Sequence, residues 1–157
     1  MKWIDGSTLD LTQISGEALC EKLALEMYDH DRDHWDCPDF IRNAMCIIDF
    51  DSEASMEGFS TPCIGNLTSE YYTEILNAFR AIGDDQDADA IAEALRLDAE
   101  CRKHLDEAAD ENEADALLDT LNERIAELEQ KLYLNTDFDM WALLYNYLDK
   151  QKETQAS

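Results

Sequence analysis

Basic residues are scarce in this 157-residue chain: 12 lysines and arginines stand against 37 aspartates and glutamates, a formal net charge of −25. The deficit excludes direct binding to DNA or RNA and to an anionic membrane surface, since both need a cationic patch to meet phosphate. Glycine and proline are few, five and two, so the chain offers few enforced breaks to a helix. There is no Gly-rich phosphate loop, no CxxC pair, and no nucleophile motif near the three histidines, His30, His34 and His104. Catalysis is therefore not expected, and the residues call for no cofactor. Long apolar runs are missing too: Ala44 to Ile48 and Trp141 to Tyr145 fall far short of the roughly 18–20 residues that cross a bilayer. The opening Met1-Lys2-Trp3-Ile4-Asp5-Gly6 has neither the hydrophobic stretch nor the small-residue site of a signal peptide, which predicts a cytoplasmic protein.

What is present fits one domain spanning residues 1–157, large enough for a single core. The five cysteines, Cys20, Cys37, Cys46, Cys63 and Cys101, form an odd set that suits a reducing compartment. Most read as small buried hydrophobes, Cys46 above all, while Cys101 beside Arg102 and Lys103 is the candidate for a lowered pKa.

Helical periodicity dominates, and the predicted fold class is all-α, a single-domain bundle of about six or seven helices. Leu19, Leu23, Met27 and Tyr28 share a face of a helix that Ser15 caps and that runs to His30 or His34. A second helix starts at Pro38 after Asp36 and continues toward Glu53, followed by a loop from Ala54 to Leu67. Tyr71, Tyr72, Ile75, Leu76, Phe79 and Ile82 line a third, ended by Gly83. Asp84-Asp85 opens a fourth, whose apolar signal thins after Leu97. Leu118, Leu121, Ile125, Leu128 and Leu132 mark the seam of a core-facing helix, and Thr136 with Asp139 has capping-box spacing ahead of the last one. The tail at 153–157 is expected to fray.

The acidic excess has a location. Residues 84–119 hold 14 acidic and 3 basic side chains, whereas 54–83 hold 3 and 1. On the helix beginning near Asn112, Asp115, Asp119, Glu123 and Glu127 recur every four residues, about 5–6 Å apart on one ridge. Ahead of it, Asp106, Asp110 and Glu113 extend the series if that stretch is helical. A solvated helix face explains any single stripe. The summed charge points further, because anionic groups at repeated spacing on a rigid rod resemble a phosphate backbone and fit a basic DNA-binding surface. A second acidic concentration runs from Asp29 to Asp39. His30, His34 and Cys37 are the one candidate metal set, but they lack a second ligand pair, so no metal site is predicted. Asp49, Asp51 and Glu53 lack the rest of a calcium loop.

Asp51-x-Glu53-x-x-Met56-Glu57-Gly58-Phe59, the helix end Ala78-Phe79-Arg80-Ala81-Ile82-Gly83, Asp87-Ala88, and the aromatic stretch Leu132 to Leu148 together resemble the DNA-mimic-protein-19-like family, a domain of unknown function numbered 4375. The likeness spans about residues 25–150. Met56 and Glu57 stand where the family pattern has Asn and Gly. The resemblance implies an all-helical fold, often a homodimer, whose named member occupies the DNA-binding face of a transcription regulator. Glu53, Gly58 and Phe59 form the family-motif loop. Together, charge and resemblance predict an acidic protein-binding module of DNA-mimic type, with a basic DNA-binding regulator as partner and the series from Asp106 to Glu127 as contact surface. The alternative is an immunity-type inhibitor of a toxin or nuclease, which adds a shape-specific aromatic patch. A metal protein or enzyme centred on His30, His34 and Cys37 ranks below both.

Overall fold

Short polar side chains set where the helices begin. In the computed structural model, which describes residues 1–156, Ser15 accepts from the Ala18 amide to start α1 (Gly16–Glu26), and Thr68 accepts from Tyr71 to start α3 (Ser69–Ala81). Asp84 accepts from Asp87 to start α4 (Asp85–Asp106), and Asp110 from Glu113 to start α5 (Glu111–Glu129). Each satisfies an amide that the first helical turn leaves without a partner. Helix α2 (Asp39–Glu57) begins without a side-chain cap behind Pro38, and α6 spans Met140–Ala156. Asp139 caps α6 by accepting from Ala142 at 3.1 Å, so it acts as the cap itself and not as the far member of a box with Thr136. Three 3-10 turns, at 11–13, 32–34 and 133–135, complete the order. No strand forms among the described residues; one isolated bridge joins Lys2 and Thr8. The described residues thus form an all-α bundle of six helices.

The apolar stripes decide the packing. Helices α2, α3, α4 and α5 pack in series, each on the next, while α1 lies on α6 and touches α2. Phe50 of α2 is the hinge of the core, with Phe59 at 5.8 Å and Phe79 at 5.4 Å, both edge to face, an arrangement favoured by the ring quadrupoles. Close approach of α1 and α6 depends on Gly16, where an added Cβ would lie 2.2 Å from the Tyr145 carbonyl oxygen. The Gly16 amide donates to Asp149 at 2.7 Å.

Several boundaries differ from the sequence expectation for tertiary reasons. Helix α1 stops at Glu26 because the chain must turn away for Arg32 to reach Asp49 of α2. Helix α2 runs four residues past Glu53, shortening the loop expected from Ala54. Helix α4 continues to Asp106, its inner face after Leu97 filled by Asp98 and Cys101, both buried. Helix α6 reaches Ala156, and the Lys152 ammonium on it donates to the Ile14 carbonyl. Ser157 lies outside the described residues.

Candidate functional site

All seven carboxylates of the predicted series, Asp106, Asp110, Glu113, Asp115, Asp119, Glu123 and Glu127, are exposed. They do not form one rod. Asp106 is the last residue of α4, and the chain then breaks before α5. Asp110 and Glu113 close that break: Asp110 accepts the Glu113 amide at 2.9 Å and Glu113 accepts the Ala109 amide at 3.0 Å, a reciprocal cap at the positive end of the helix dipole. The remaining four lie along α5. Leu121, Ile125 and Leu128 are the residues α5 buries, and at about 100° per residue Asp115, Asp119, Glu123 and Glu127 centre on the opposite side. None of the four is in an ion pair. Arg124 and Lys131 line a groove between α4 and α5 with Glu93 and Glu127. They add to the lowering of the Glu93 pKa, whose main cause is the hydrogen bond from Arg96.

On α4 the acidic charge is largely answered. Arg80 of α3 reaches Asp85 at 3.4 Å and Asp89 at 3.2 Å, and Arg96 holds Glu93 at 2.6 Å and Glu100 at 3.2 Å. Asp84, Asp87 and Asp98 are buried. Asp98 accepts from the Cys63 amide at 2.9 Å and from Arg102 at 3.1 Å. The density that sequence assigns to 84–119 therefore divides: the α4 half is neutralised or internal, and the free charge sits on α5.

The buried carboxylates are what the sequence reading missed. Asp49, 8% exposed, accepts from Tyr28 at 2.8 Å, from Arg32 at 2.7 and 3.2 Å, and from the Tyr71 hydroxyl. Burial together with Asp49 raises the pKa of both tyrosines. Two residues on, Asp51 accepts from the Tyr133 hydroxyl, and one helical turn from Asp49, Glu53 accepts from Asn66 at 3.2 Å. The three acids of the aborted calcium pattern thus tether three different segments to α2. The readable hint was Asp98 four residues before Arg102, a spacing that pairs opposite charges on a helix.

The family-motif loop is also structural. Gly58 closes α2 with φ +85°, a left-handed conformation that favours glycine. Phe59 is buried, and its amide donates to Glu129 at the end of α5. Gly58 and Phe59 therefore join the C-terminal ends of α2 and α5, Glu53 ties α2 to Asn66, and none of the three lies on the α5 face. His30 and His34 do not share a helix: His34 sits in the 3-10 turn, exposed, with its Nδ1 2.6 Å from Asp31. Among the described residues no group of three His, Cys, Asp or Glu is placed to hold a metal ion. Asp29, Asp31, Asp33, Asp36 and Asp39 are exposed. Asp33 borders a cleft beside α2 and α3 with Arg42 and Glu70, away from α5. Cys101 corrects an expectation: it is buried, and its pKa is raised by that burial and by Asp98. Burial likewise pushes Cys20 up to about 12 and Cys46 to about 11.

Residues 36–151 match the family model described as DMP19-like protein. The chain belongs to the DMP19-like protein family. The match runs from the residues before α2 into the last turns of α6, so it contains the motif loop, the buried carboxylates of α2 and the whole of α5. No curated protein and no solved structure matches the chain significantly. No helix of this DMP19-like protein is long and apolar enough to cross a membrane.

Proposed function

We propose that this chain is an acidic protein-binding module of DNA-mimic type, whose outer α5 face occupies the basic nucleic-acid-binding surface of a regulatory protein. One observation carries the reading: Asp115, Asp119, Glu123 and Glu127 stand exposed and out of any ion pair, opposite the buried side of a rigid helix, while Arg80, Arg96 and Arg102 pair with carboxylates of α4. At 1.5 Å per residue the row extends about 18 Å with a charge every 6 Å or so. A DNA strand advances about 3.4 Å per phosphate, so four carboxylates cover the length of about five phosphates at lower density. Family membership supports the same direction. An immunity-type inhibitor would anchor through buried aromatic hot spots. The large exposed hydrophobics, Leu25, Tyr28, Met56 and Leu134, all lie off α5, which favours the electrostatic reading. This reading assigns the chain no reaction.

The test is the salt dependence of partner binding. A basic DNA-binding protein captured from lysate on the immobilised chain at low salt is expected to lose on the order of 10- to 100-fold in affinity between 50 and 200 mM salt, as screened charge contacts do. Isothermal titration at the two salts reads this directly, and an affinity constant across that range overturns the proposal.

A further inference from the structure

The first turn of α4 buries two carboxyl groups that the α5 face does not use. Asp84 and Asp87 are both 0% exposed. One oxygen of each has a donor: Asp84 Oδ1 accepts the Asp87 amide at 3.0 Å, and Asp87 Oδ1 accepts the Tyr133 amide at 2.8 Å. The other oxygen of each, Oδ2, is shielded from solvent and has no protein donor. No cation reaches them, since Arg80 of α3 is engaged by Asp85 and Asp89. The titratable groups facing the pair are the phenol of Tyr133 and, bonded to that phenol, Asp51 of α2. Both add negative or neutral character and offer no offset.

Two ionised carboxylates in contact out of water repel each other, and a buried charge without a partner takes up a proton instead. A proton on either free oxygen converts the repulsion into a charge-assisted O–H···O⁻ bond. We propose that Asp84 and Asp87 share one buried proton, and that this proton is the catch holding the 133–135 turn and the C-terminal end of α5 against the first turn of α4. The turn has few other ties to α4: Gln86 donates to the Lys131 carbonyl at 3.1 Å and to Thr136 at 3.4 Å. Removing the proton sets two negative charges side by side and draws Asp87 away from the Tyr133 amide. The inference is independent of what binds α5.

Burial, then the contact with Asp84, pushes the Asp87 carboxyl up to about 8 from its ordinary 3.8. Between those values the folded chain holds a proton that the unfolded chain has released. The stabilising effect of that proton is complete below about pH 4 and is lost as pH rises through about 8, the unfolding constant growing by up to tenfold per pH unit in between. The window from pH 6 to 8 lies above ordinary carboxylates.

Urea unfolding of the full chain at pH 6, 7, 8 and 9 tests this with Asp87→Asn, which keeps an oxygen for the Tyr133 amide and places an N–H where the proton sat. The natural chain is expected to show an unfolding constant rising approximately tenfold per unit between pH 6 and 8, and Asp87→Asn to stay within about twofold. Parallel pH profiles overturn the proposal. Should Asp87→Asn not fold, carbon-13 NMR of the natural chain decides. One aspartate carboxyl titrating above pH 7, with faster exchange of the Tyr133 amide across the same transition after correction for intrinsic rate, supports the shared proton. No aspartate titrating above pH 6 refutes it.

Discussion

Replacing Asp115, Asp119, Glu123 and Glu127 together with Asn, Asn, Gln and Gln is expected to give a more stable protein that binds its partner on the order of 100-fold more weakly. The four lie at successive i,i+4 positions on one exposed face, so the row contains three like-charge contacts, each worth about 0.2–0.5 kcal/mol against the helix. Their relief adds about 1 kcal/mol, or about 2–4 °C in thermal midpoint for a chain of this size. Binding moves the other way. Four exposed charge contacts at up to about 1 kcal/mol each amount to about 3 kcal/mol, on the order of 100-fold in affinity. Calorimetric unfolding and titration of one preparation read both effects. A face kept only for solubility would give the stability gain without the binding loss. Charges that oppose folding and persist on one face are what a stability-for-function trade looks like. Asp85→Asn with Asp89→Asn is the control, because those two are already paired with Arg80 and should leave binding within about twofold.

The largest loss of stability is expected from Arg32→Ala. Arg32 is the only cation bonded to Asp49, and removing it leaves a carboxylate 8% exposed with hydroxyl donors alone, Tyr28 and Tyr71. Breaking a buried pair from one side typically costs about 3–5 kcal/mol. The two tyrosines and the partial exposure of Arg32, 27%, place the expected value near the low end, about 3 kcal/mol. Urea unfolding at neutral pH measures it. One further reading distinguishes an orphaned charge from lost packing. Adding Asp49→Asn to Arg32→Ala should recover part of the loss in a double-mutant cycle. A deficit that ignores the second change assigns the effect to packing.

The contrast between these two sites shows what residue order conveys. Helix α3 was legible throughout, since Thr68 caps it, Tyr72, Ile75 and Phe79 face inward, and Gly83 takes φ +86° just beyond its end. The outer face of α5 was equally legible, because carboxylates four residues apart on a helix share a side whatever packs behind them. Asp49, Asp87 and Asp98 were not, and a sequence count places all three with the surface charge. Their burial depends on donors far along the chain, Arg32, the Tyr133 amide and the Cys63 amide, which no local pattern announces. The same cause hid the helix ends: α1 stops early so that Arg32 can reach Asp49, and α4 runs on past Leu97 because Asp98 and Cys101 complete its inner face. Acidic spacing continues across the break at 107–110 although the helix does not, so Asp106 stands on α4 and not on α5.

Competition with DNA tests the central claim most directly. A captured basic DNA-binding partner, held on a fluorescent duplex that it binds, is titrated with the natural chain. If the outer face of α5 occupies the surface that reads phosphate, the duplex is released in step with complex formation, and the Asp115/Asp119/Glu123/Glu127 variant displaces it only at about 100-fold higher concentration. A stable ternary complex of partner, duplex and this chain would contradict the account.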